Sequence, residues 1–111
     1  MKKIYVSAPL GTGNMGNNVQ RVIEAMIILT REAKNSGDPL PLFLVPHFVL
    51  NNITFAVPIE IDRKWGMECC LEMVKLVDEM IIIGKTLTPG MKEEYEFAKE
   101  LGKKIIHRVD L

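Results

Sequence analysis

Four short apolar runs, IYV at residues 4–6, LFLV at 42–45, MIIIG at 80–84 and KKIIHRV at 103–109, alternate with three longer stretches whose apolar residues recur at helical spacing. This alternation constrains the fold more than any other feature of the chain. Near-continuous apolar strands must be covered on both faces, and a strand–helix–strand order with short, right-handed connections makes neighbouring strands parallel. The expected order is β, α, β, α, β, α, β. It describes an α/β protein with a parallel sheet of about four strands and helices on both faces. A chain of 111 residues has room for one such domain, 1–111, and none for a second.

The first helix is expected over residues 18–34, where Val19, Val22, Ile23, Met26, Ile27 and Leu29 repeat and NSG gives a stop signal. The second runs over 61–77 with Met67, Cys70, Leu71, Val74 and Val77 inward, and Asp78 ends it. The third covers 90–101. Residues 48–60, which include the apolar FVLNNITFAV, read as an irregular loop.

Lys plus Arg and Asp plus Glu each number 14, so the electrostatic signature of a nucleic-acid binder is missing and no nucleic-acid partner is expected. The longest apolar runs are too short to cross a bilayer and no signal sequence opens the chain, so a cytoplasmic protein without a membrane partner is expected. Cys69 and Cys70 are adjacent and are expected to be reduced; no other cysteine supplies a zinc framework, and neither metal nor cofactor is expected.

In a sheet of this kind ligands bind beyond the carboxyl ends of the strands. The segments that arrive there are Ser7 to Asn18, Pro46 to Ile53 and Lys85 to Gly90, and the chain end after Val109. Gly11, Gly13 and Gly16 match a loose G-x-G-x-x-G after the first strand, but His47 stands where a dinucleotide site would have an acidic residue. GxxxxGK[ST] is missing, which leaves a P-loop nucleotidase unsupported.

One charge is out of place. At about 100° per residue, Met91, Glu94, Tyr95, Ala98 and Leu101 share one arc of the third helix, while Lys92, Glu93, Glu96, Lys99, Glu100 and Lys103 share the solvated one. A carboxylate on the apolar arc is costly unless it is paired or lines a cleft. Either Glu94 snorkels to a nearby backbone group or it belongs to a site.

IYVSAP near the start, D-x-x-x-I-I-G at the third strand, G-x-x-x-E-x-x-x-A followed by LGKKI, PH after the second strand and R-x-x-G-M in the second helix together resemble the nucleoside 2-deoxyribosyltransferase superfamily. The likeness is closest to a small uncharacterised branch found in bacteria and phages, and covers nearly the whole chain. It implies a Rossmann-like or flavodoxin-like three-layer domain. It also implies a nucleoside, nucleoside monophosphate or related ribosyl ligand, whose N-glycosidic bond is cleaved or transferred with Glu94 as nucleophile and Tyr5 as the hydroxyl that orients it. Tyr5 reads equally as a strand residue ending at the rim, and Thr88 as either a phosphate contact or the N-cap before Pro89.

Ser7, Pro9, Gly11, Gly84, Gly90 and Met91 are expected around the ligand. His47 is placed either against a phosphate or base or in a surface loop. Arg63 and Trp65 either grip a phosphate and stack on a base or serve an interface, and Asn17 and Asn18 either cap the first helix or line the sugar pocket. The superfamily's base-assisting Asp falls on Cys70, which reads as a small core residue. That departure motivates an alternative: a non-catalytic, phage-type binding protein that sequesters a nucleotide or an ADP-ribose-derived immune signal. A third reading is an interaction module with a vestigial pocket. A homo-oligomer is expected, because the pocket of so small a domain is open and the apolar 48–57 segment needs cover.

Overall fold

The computed structural model describes residues 1–9, 15–46, 48–50 and 63–111, apart from the side chains of residues 15–17 and 63. The described elements are β1 (Lys3–Ser7), α1 (Met15–Asn35), β2 (Leu42–Leu44), α2 (Arg63–Leu76), β3 (Glu79–Ile83), α3 (Pro89–Glu100) and β4 (Lys104–Arg108). The four strands form one parallel sheet in the order β2-β1-β3-β4. After β2 the chain crosses to the far side of β1, so the strand order reverses between β1 and β3. That reversal point is where an open parallel sheet parts to admit a ligand.

Strand parity divides the core into two layers. Ile4, Val6, Ile81 and Ile83 face one way and pack under Val22, Ala25 and Leu29 of α1. Tyr5, Met80 and Ile82 face the other way, against Cys70, Val74 and Val77 at α2 and Met91 and Ala98 of α3. In register Tyr5 lies beside Met80, and Ser7 beside Ile82. All five residues of β3 are buried, as its run of isoleucines demands of a central strand. Asp78 fixes the start of the neighbouring strand: its carboxylate accepts from the Lys3 amide at 2.9 Å, and its own amide donates to the Lys3 carbonyl at 2.9 Å.

Several boundaries differ from expectation. Helix α1 begins at Met15, inside the glycine-rich stretch, so Asn17 and Asn18 lie within its first turn and neither is the N-cap. Ile23 and Ile27, counted in the apolar repeat of this helix, are 38% and 47% exposed, because Val22, Ala25 and Leu29 define the face that meets the sheet. Leu101 is 44% exposed because α3 ends at Glu100 and Leu101 forms its C-cap. Residues 48–50 are helical rather than irregular, and Pro46 is helical too; the amides of Phe48 and Val49 donate to the Val45 carbonyl, and proline suits a first helical turn.

The start of α3 is held firmly. Thr88 is the N-cap, its hydroxyl oxygen accepting from the Met91 amide at 3.2 Å, and Pro89 follows it. Thr88→Ala is expected to cost about 1 kcal/mol of stability, read as a lower midpoint in urea unfolding with an unchanged slope.

Candidate functional site

Two carboxylates are buried among the described residues, and their surroundings differ in kind. Glu79, at the amino end of β3, is ion-paired with Lys2 at 2.8 Å. Glu94, in the second turn of α3, is 6% exposed and faces two hydroxyls instead of a cation. Tyr5 Oη donates to Glu94 Oε2 at 2.5 Å, and Ser7 Oγ donates to the same oxygen at 3.3 Å. Both donors come from alternate positions on β1, so both point to the α2/α3 side of the sheet. Among the described residues, Glu94 Oε1 has no hydrogen-bond partner.

Burial pushes the Glu94 carboxyl up to about 7, against the lowering effect of the Tyr5 and Ser7 hydrogen bonds. Near neutrality it is therefore divided between acid and carboxylate. The Tyr5 phenol is raised well above its ordinary range by its own burial and then by Glu94, which keeps it protonated and a donor. Cys70 lies close enough to both to interact with each: burial, then the Glu94 charge, pushes its thiol up to about 11. The thiol is therefore neutral and a poor proton source for a leaving group. Met91 is 1% exposed in the same layer, with its amide on Thr88.

The remaining sequence candidates are arranged as follows. Pro9 and Thr88 are half-buried, just beyond β1 and just before α3. Gly90 approaches α2 so closely that an added Cβ would lie 3.0 Å from Met67 Cε. Gly84 ends β3 with φ +96, and a Cβ there would lie 2.6 Å from Arg21 Nη2. Trp65 lies apart from the contacts to Glu94, 43% exposed on a groove of about 510 Å³ that Glu68, Cys69, Glu72 and Met73 also line. Asn18 is half-buried in α1. Gly11, His47, the side chains of Asn17 and Arg63, and most of the 48–57 segment fall outside the described residues.

Two neighbours were not legible as site candidates. Arg21 reaches the carboxyl-end rim from α1, where its Nε donates to the Leu111 carbonyl at 3.1 Å and its guanidinium lies over Gly84. His107 Nε2 lies 2.9 Å from the Gly84 carbonyl. Arg21 sits on the polar side of the α1 wheel, and only the tertiary fold shows what it meets.

Among solved structures, the fold is similar to that of a 2-desoxiribosyltransferase from Leishmania mexicana, with a TM-score of 0.60 and 16% identity over 96% of this chain. This chain spans 63% of that protein's length. The sequence matches a family model, Domain of unknown function (DUF7768), over residues 2–108, and the chain belongs to that family. No curated protein matches it. Among the described residues, no helix is long and apolar enough to cross a membrane.

Proposed function

We propose that this protein binds a nucleoside, nucleoside monophosphate or related ribosyl ligand at the carboxyl-end rim of the sheet and cleaves or transfers its N-glycosidic bond. The observation that carries this reading is the state of Glu94. It is a buried carboxylate with one oxygen fixed by two hydroxyl donors, and no cation neutralises it among the described residues. A carboxylate held in this way suits a developing positive charge at an anomeric carbon. Glu94 Oε1 attacks that carbon; the carbon–nitrogen bond breaks and its electron pair leaves with the base, which takes a proton from solvent. Water or a second base then attacks the same carbon and gives up a proton to solvent, and the carbon–oxygen bond to Glu94 breaks with its electron pair, releasing Glu94 as carboxylate.

Tyr5 keeps Glu94 oriented and lowers its affinity for a proton. In Tyr5→Phe the Glu94 carboxyl rises further, so the acidic limb of the activity profile moves to higher pH and turnover falls by about 10- to 100-fold. Initial rates across a pH series check this.

A second reading is favoured by one observation, the thiol of Cys70 beside Glu94 in place of an acid. In that reading the pocket holds a nucleotide or an ADP-ribose-type signal intact. The deciding experiment incubates the protein and its Glu94→Gln variant with pooled nucleosides, nucleoside monophosphates and ADP-ribose derivatives, then follows retained ligand and released base by mass spectrometry. Base released only by the unaltered protein supports the enzyme. Intact ligand recovered from both supports the binding protein. Neither retention nor release from either sinks both readings.

A further inference from the structure

The outward face of α1 is complementary to itself. Val22, Ala25 and Leu29 hold the opposite side of this helix against the sheet, which leaves Ile27 and Ile28 47% and 40% exposed, with Gln20, Glu24, Arg31 and Asn35 also exposed around them. The described residues on either side of the 51–62 segment, Leu50 and α2, pack on the other layer of the sheet.

On an ideal helix the midpoint between Ile27 and Ile28 is also the midpoint between Glu24 and Arg31, and between Gln20 and Asn35. At about 100° per residue, Glu24 and Arg31 both project within about 10° of the line that bisects the two isoleucines. If a second copy is laid antiparallel on this face, with the two-fold axis running between the helices at the level of that midpoint, Ile27 and Ile28 each lie beside their own counterpart and Glu24 meets Arg31 of the partner subunit. The isoleucine contacts lie at the axis and the Glu24–Arg31 contact occurs twice, as an isologous interface requires.

The charges are available for it. Among the described residues Arg31 has no carboxylate partner, and the only bond to the Glu24 carboxylate is a long one from Gln20 Nε2 at 3.4 Å.

We infer that two copies of this chain pair through α1 in an antiparallel, two-fold arrangement centred on Ile27 and Ile28, with Glu24 and Arg31 forming reciprocal ion pairs across it. This surface is separate from the chemistry of Glu94 and does not depend on it. It also differs from the 48–57 segment, which the sequence marked as needing cover.

Charge reversal tests the pairing by sedimentation equilibrium of the full chain, from micromolar to several hundred micromolar, at low and moderate salt. The unaltered protein is expected to self-associate. Glu24→Arg and Arg31→Glu each place two like-charged pairs across the axis and are expected to raise the dissociation constant by ~10-fold or more. The double variant E24R/R31E restores opposite charges and is expected to recover association to within a few-fold of the original. Helical circular dichroism of each variant shows that the fold is retained, as expected for exposed positions. A protein that is monomeric throughout, single reversals that leave association unchanged, or a double variant as weak as the singles would each overturn the inference.

Discussion

Glu94→Gln is expected to remove turnover, by ~10³-fold or more on the scale seen when a covalent nucleophile is lost, and to make the protein more stable in alkaline solution. Both effects have one cause. Burial raises the folded-state carboxyl from 4.5 to about 7, so between those values the native state holds a proton that the unfolded chain has released. Stability from this group therefore falls as pH rises through that window, and the loss is complete above about 7. A shift of this size corresponds to about 3 kcal/mol. Glutamine keeps the oxygen that accepts from Tyr5 but has no charge to bury.

Urea unfolding of the two proteins at about pH 5 and about pH 8 separates this effect from other titrations, because those cancel in the difference. The variant should gain on the unaltered protein only as pH rises. Equal differences at both values would mean that Glu94 is not desolvated in the folded state. Activity should follow the opposite trend. In the proposed reaction the attacking form is the carboxylate, so kcat/KM is expected to rise with pH through about 7.

Met80→Ala is expected to produce the largest loss of stability, about 2–5 kcal/mol. Met80 is fully buried in β3 and lies in register with Tyr5. Its removal leaves a cavity in the layer below α2 and α3, beside the ring that carries the Glu94 donor. Against the 5–15 kcal/mol typical of whole domains, that is a large share. Met80→Leu nearly conserves volume and should cost less than about 1.5 kcal/mol. The pair is compared by thermal or urea unfolding, and equal losses would show that side-chain volume is not what this position supplies.

Much of this architecture was legible in the residues. The alternation of apolar runs with helical periods gave the order and parallel character of the strands, and the wheel of the third helix isolated Glu94 from charges that belong on the surface. What it missed has identifiable causes. In α1 apolar residues occupy more than one face, so the wheel alone could not tell that Val22 turns inward while Ile23 and Ile27 turn out. Leu101 obeys the helical period, but the helix stops one residue before it. Ser7 was singled out only by its place at a strand end. Its bond to Glu94 depends on how β1 lies against α3, and no local pattern encodes that. Cys70 read as core, which it is, but its nearness to both Tyr5 and Glu94 is a property of the packed sheet.

The Tyr5–Glu94 hydrogen bond joins residues 89 positions apart in sequence. During synthesis the phenol emerges long before its acceptor has been added to the chain, and in a fragment lacking α3 it has no such partner at all. The contact that sets the state of Glu94 is therefore among the last features that a folding molecule can acquire.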